Sequence, residues 1–186
     1  MKNTLKVLVI VLTIIICLAS CNNNQAQLDT INGLLNNGIE AYTLSVIVES
    51  ETHKVTEEYS IRTENGEKTV DYRIEEINSF EITDDGIVAP DEYITVKEGT
   101  LSADEVYTTD FDIPSFDFST KSLKKIGFEN GALTATVTSL NSFMGLFESA
   151  NDATVTVSFT EMAIEYITVC YTSEAGNSVT ITYTFD

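Results

Sequence analysis

Asn65-Gly66 stands between two runs in which side-chain character switches at every residue. Asn-Gly favours the tight two-residue turn whose central residues both need positive φ, and that turn fixes the register of its flanking strands. After the turn, Lys68, Val70, Tyr72 and Ile74 fall on one face, and Glu67, Thr69, Asp71, Arg73 and Glu75 on the other. Before it, Val55, Tyr59 and Ile61 alternate with Thr56, Glu58, Ser60 and Arg62. Further back, Tyr42, Leu44, Val46 and Val48 alternate with Thr43, Ser45, Ile47 and Glu49. A period of two predicts antiparallel strands with one buried and one wet face. The expected strands are 41–50, 54–64 and 67–77.

The pattern returns in the last third. Lys124 to Phe128, the turn Glu129-Asn130-Gly131, and Ala132 to Thr138 predict a second hairpin. Thr154 to Thr160, Ala163 to Thr172 and Ser178 to Phe185 predict three more strands. Between the two regions, Phe80 and Ile82, Tyr93 to Val96, Val106 to Phe111 and the Phe116/Phe118 pair read as short strands. Pro90 and Pro114 both fall in this stretch, which marks it as the least regular part, because proline is confined to strand edges and loops.

Helical spacing occurs twice. Leu28, Ile31, Leu34 and Leu35 predict an amphipathic helix over 25–37, stopped at Asn36-Asn37-Gly38. Gly33 inside it costs about 1 kcal/mol relative to alanine, which a close approach to a sheet would explain. Ser139 suits the N-cap of a short helix carrying Leu140, Phe143, Met144 and Phe147. These four residues have two readings: core that plugs the sheet, or a lid facing a ligand. About ten strands and one or two helices predict a mainly β (α+β) fold. A sheet with one apolar face must cover it. The expectation is a curved antiparallel meander, a half-barrel, wrapped on the N-terminal helix.

The start of the chain follows other rules. Lys2 and Lys6 precede an apolar run ending at Leu18, and small residues Ala19 and Ser20 come next. This is the pattern of a secretory signal, and the run is shorter than the about 20 residues of a membrane-spanning helix. Leu18-Ala19-Ser20-Cys21 resembles the bacterial lipoprotein signal, or lipobox, in all four positions. The resemblance implies cleavage between Ser20 and Cys21 and lipidation of the Cys21 thiol, with palmitate-type acyl chains as anchor; two or more chains hold stably. Residues 1–20 are then the signal peptide, 21–27 a lipidated tether, and 28–186 one domain. Asn22 in place of aspartate after that cysteine lacks the usual inner-membrane retention signal. The expected address is the outer face of the cell membrane in a monoderm, or the outer membrane in a diderm.

Charge narrows the partners. The chain has 29 acidic and 10 basic residues, a net charge of −19. That opposes nucleic acid, whose binding relies on Lys and Arg neutralising phosphates, and opposes lying flat on anionic lipid. With Cys21 lipidated, Cys170 has no disulfide partner in the mature chain and reads as a buried, inert thiol.

Taken with the order of elements, the ending Tyr171-Thr172 … Gly176-Asn177-Ser178-Val179-Thr180-Ile181-Thr182-Tyr183 resembles the unclosed β-barrel superfamily of bacterial lipoprotein carriers and mycobacterial lipid-carrier lipoproteins. The resemblance implies a hydrophobic ligand, a lipid or acyl chain, on the concave face. It supplies no catalytic residue.

The residues themselves offer little for catalysis. The sole histidine, His53, reads as an exposed residue at the tip of the first hairpin, without a placed partner for general-base work. The sequence has no glycine-rich phosphate loop, no Gly-x-Ser-x-Gly and no Cys–His pair. Asp110, Asp112 and Asp117, or Asp84 and Asp85, could offer oxygens to Ca²⁺, but not at calcium-loop spacing. No metal or other cofactor is expected. The expectation is a non-catalytic, membrane-anchored extracytoplasmic lipoprotein binding a hydrophobic ligand. The alternative is a cell-surface interaction or structural module with a filled core.

Overall fold

The computed structural model describes residues 24–36, 39–78, 93–108 and 111–185. Nine strands form one open antiparallel sheet: β1 (Ala41–Glu49), β2 (His53–Glu64), β3 (Glu67–Asn78), β4 (Tyr93–Thr100), β5 (Leu123–Glu129), β6 (Ala132–Val137), β7 (Ala150–Phe159), β8 (Ile164–Ser173) and β9 (Ser178–Phe185). Their order across the sheet is β4-β3-β2-β1-β9-β8-β7-β6-β5. Two meanders, β1–β4 and β5–β9, are therefore joined where the first strand pairs with the last. The edges, β4 and β5, do not pair, and the half-barrel stays unclosed.

Local chemistry accounts for the strongest elements. Asn65 and Gly66 have φ of 53° and 83°, and Asn130 and Gly131 have 51° and 77°. Both pairs thus adopt the positive-φ turn that matches strand twist. The β2–β3 register runs unbroken from His53↔Asn78 to Glu64↔Glu67. On β8, Ile167, Val169 and Tyr171 are buried on the core side, while Thr168, Cys170 and Thr172 share the outer face. Cys170 is accordingly half-covered rather than buried, with Sγ 3.7 Å from Thr180 Oγ1 across the β8–β9 pair. Strand parity, not hydrophobicity, placed it there.

Three helices accompany the sheet. α1 spans 24–35, so the last four residues of the expected 21–27 tether are helical; Cys21 and the signal segment lie outside the described residues. Nothing lies within 4 Å of where a Gly33 Cβ would sit, so no close approach explains that glycine. α2 (Ala103–Thr108) replaces the first half of the strand expected over 106–111. Its start is a reciprocal cap: Glu105 accepts from the Ser102 N–H (2.8 Å) and hydroxyl (2.7 Å), and Ser102 Oγ accepts from the Glu105 N–H. Phe116 and Phe118 lie outside any strand, and the Phe116 N–H bonds back to the Pro114 carbonyl at 2.9 Å.

α3 (Leu140–Met144) begins at its expected cap, with Ser139 Oγ accepting from the Ser142 N–H. It ends earlier than its apolar stripe suggested. Gly145, at φ 73°, takes the left-handed C-cap position and its N–H bonds back to the Asn141 carbonyl. Phe147 falls beyond that stop and is 90% exposed, so it is neither helical nor core. Residues 79–92, which hold Phe80, Ile82, Asp84, Asp85 and Pro90, lie outside the described residues.

The core sits between the sheet and a plug of non-strand segments. Leu28 and Ile31 of α1, Phe118, and Phe143 of α3 are fully buried. Phe118 and Phe143 meet edge to face at 5.2 Å, and Phe116 packs against Phe143 at 5.4 Å and Tyr183 at 5.5 Å. Such aromatic contacts add to area burial. The Asn32 amide donates to the Phe118 carbonyl at 3.0 Å, tying α1 to the crossing segment.

Candidate functional site

Among the described residues the plug is off-centre, and the half-buried part of the sheet beside it is the candidate site. Core-side residues of β9, β1, β2 and β3 stand in register as four ranks. In the first, Tyr42, Ile61 and Val70 are buried. The second runs Tyr183, Leu44, Tyr59, Tyr72; the third Ile181, Val46, Glu57, Ile74; the fourth Val179, Val48, Val55, Glu76. In ranks two to four the β9 member is buried, whereas every member on β1, β2 and β3 is half-buried. Cover therefore ends between β9 and β1 in three of the four ranks.

The uncovered floor is apolar near β1, with Leu44, Val46, Val48 and Val55. Leu44, Val46 and Val48 pack at its inner side against the core. Phe111 closes one end, with its ring 5.2 Å from Tyr59. At the β3 side the floor gains polar groups. The ring of Tyr72 lies across Gly99, where a Cβ would sit 3.2 Å from the tyrosine oxygen. A side chain at position 99 would push that ring off the floor.

Glu76 gathers the far end. Its Oε1 accepts from the Asn78 amide and meets His53 Nε2, both at 3.1 Å. Asn78 first, and then His53, hold its carboxyl below the usual carboxylate range, and the Lys97 charge adds to this. His53 is thus the first residue of β2, beside the turn, and has a carboxylate partner that the sequence did not reveal. The Tyr59 hydroxyl donates to Glu57 at 3.0 Å. Its pKa is pushed up to about 12, first by burial and then by the neighbouring Glu57 charge and hydrogen bond. Tyr59 therefore stays neutral through any ordinary pH range. The floor combines apolar contact with fixed hydrogen-bonding groups, as binding concavities commonly do. His53 is engaged with Glu76, and Glu57 with Tyr59.

Other residues singled out from the sequence fall elsewhere. Leu140, Phe143 and Met144 are buried in the plug. Phe147 stands at the rim of a separate open cleft of about 480 Å³ with Ser139, Asn141, Glu148, Ser149 and Ala153. There the Tyr171 hydroxyl donates to Glu148, and burial followed by that carboxylate raises the tyrosine pKa. Asp112 pairs with Lys68, and Asp117 accepts from Ser119 and Ser122 in a turn. Among the described residues no three His, Cys, Asp or Glu side chains gather as a metal site would require. Asp110 lies outside them. No helix among the described residues is long and apolar enough to cross a membrane.

No protein-family model matches the chain, no curated protein matches it, and no solved structure matches it.

Proposed function

We propose that this protein is a lipid-anchored, extracytoplasmic, non-catalytic binding module. Its ligand is hydrophobic, a lipid or acyl chain, held on the half-covered core-side face of β1–β3. The observation that carries this reading is the abrupt loss of cover across the β9–β1 pair, which leaves Val46, Val48, Val55 and Ile74 half-exposed beside a filled core. A ligand laid there would remove apolar surface from water at about 25 cal/mol per Å². Tyr72, Glu76 and Lys97 at the β3–β4 side would face its polar end. The lipobox at Leu18-Ala19-Ser20-Cys21 supports the anchor and the address on the outer membrane surface.

Solvent extraction of protein purified from its native membrane, followed by mass spectrometry, tests the ligand. A co-purifying acyl lipid, together with saturable binding of an apolar dye abolished by Val48→Glu or Ile74→Glu, is the expected result. An empty extract with no dye binding ends it. Cys21→Ala should release the protein from membranes, and retention of that variant would contradict the anchor.

The filled core favours a second reading, a surface interaction or structural module. Leu28, Ile31, Phe118 and Phe143 occupy the face that a larger half-barrel cavity would need.

A further inference from the structure

The two edges of the sheet are built differently. β5 carries Lys124 and Lys125 on its exposed edge, a register shift between Lys124 and Gly127, and a positive φ at Lys125. Lysines and irregularities of this kind discourage a further strand from pairing. β4 carries Lys97, which falls on the core-side face, but it has no register shift against β3 and no positive φ. Its register with β3 is unbroken from Asp71↔Thr100 to Asn78↔Tyr93. Ile94 and Val96 are 53% and 44% exposed on its outer face. Among the described residues no strand lies beyond it.

Its hydrogen-bonding parity can be read from one bond. The Leu101 N–H donates to the Val70 carbonyl at 2.9 Å, which makes 70 and 101 a directly bonded pair in the β3–β4 ladder. Bonded pairs alternate along an antiparallel ladder, so Gly99, Lys97 and Thr95 direct their backbone groups to β3. Ile94, Val96 and Glu98 direct theirs to the open edge. The residues whose backbone groups point away from β3 are thus also those whose side chains stand on the outer face.

We propose that the open edge of β4 is a docking strand for an extended, basic peptide segment, added antiparallel as a tenth strand. This goes beyond the ligand reading and uses a different surface. Strand addition takes its affinity from main-chain bonds and its selectivity from alternate side chains. Here the outer-face sites are apolar at Ile94 and Val96, extended by Ile77 beside Ile94. They turn acidic at Glu98, which is 72% exposed and meets Arg73 at 3.3 Å. A peptide with two apolar residues and one lysine at alternate positions complements that sequence. Lys97, on the core side, excludes a basic residue from the intervening positions. The net charge of −19 attracts a basic segment and repels a second copy of this chain.

The test uses the full chain in detergent and the labelled heptapeptide Thr-Lys-Thr-Val-Thr-Val-Thr, whose lysine would stand opposite Glu98. Fluorescence anisotropy should show saturable binding. The same peptide N-methylated at its lysine and both valines should not bind. Val96→Pro removes an N–H that points away from β3 and should weaken binding about tenfold while leaving the β3–β4 ladder intact. Glu98→Lys should transfer preference to the peptide with glutamate in place of lysine. Binding of the N-methylated peptide with equal affinity, or no saturable binding by the full chain, would overturn the proposal. So would a concentration-dependent dimer lost in Val96→Pro, which would make a second copy the occupant. Should Val96→Pro fail to fold, the N-methylated peptide and the Glu98 charge swap still decide.

Discussion

Val179, Ile181 and Tyr183 on β9 are nearly closed to solvent, whereas Val48, Val46 and Leu44, directly across from them on β1, are half-exposed. The two strands carry the same alternation of apolar and polar residues and pair without interruption. What differs is what lies above them. Phe116 packs on Tyr183 of β9, and Leu28, Ile31, Phe118 and Phe143 belong to the same buried core; over β1–β3 full burial persists only at the rank of Tyr42, Ile61 and Val70. An amphipathic strand therefore announces a face that needs covering, and not whether the chain covers it. The uncovered share is where a ligand can supply what the fold does not.

The largest effect that sharpens this contrast lies in the plug. Phe118→Ala should cost about 3–5 kcal/mol, because it removes a fully buried ring and leaves a cavity. Urea unfolding measures it, and a loss below about 1 kcal/mol would mean that the plug is not packed as described. Ser139→Ala removes the α3 cap and should cost about 1 kcal/mol by the same measurement. Ile74→Ala, on the uncovered floor, should cost less than a buried Ile→Ala substitution, whose range is about 2–5 kcal/mol. A cost within that range would show that the floor is covered after all and break the comparison. Phe147→Ser should change stability by no more than about 0.5 kcal/mol, since the ring is exposed.

One further outcome is read in pH rather than denaturant. The Tyr59 pKa lies at about 12 in the folded chain against the ordinary 10.0. A raised folded pKa means that its contribution to stability is complete below pH 10 and disappears as pH climbs through about 12. Tyrosinate absorbance should show two late-titrating groups, Tyr59 and Tyr171, and Tyr59→Phe should remove one of them. Loss of amplitude near pH 10 instead, with both late groups kept, would place Tyr59 in open solvent.

Legibility in the sequence followed the range of each signal. The Asn65-Gly66 and Asn130-Gly131 hairpins, β1 to β3, the Ser139 cap and the buried stripe of Leu140, Phe143 and Met144 depend on neighbours a few residues away, and all were readable. α2 has a local signal of its own, the capping box Ser102-Ala103-Asp104-Glu105, which prevails over the strand-like apolar residues from Val106 onward. Gly145 should have ended the stripe before Phe147. The His53–Glu76 contact joins residues 23 apart through the β2–β3 register, and no local pattern identifies such a partner. The candidate floor was equally hidden, because its boundary depends on where the plug lies.

Alternation and turn chemistry act within a few residues, and they fix a mainly β chain, its hairpin registers and the apolar side of each strand. Only the tertiary structure decided that β1 pairs with β9, that α1 and the phenylalanines fill one side of the half-barrel, and that β1–β3 are left partly open. Those outcomes depend on contacts between residues far apart in the chain. There, many pairings satisfy the same alternation, and close packing selects one.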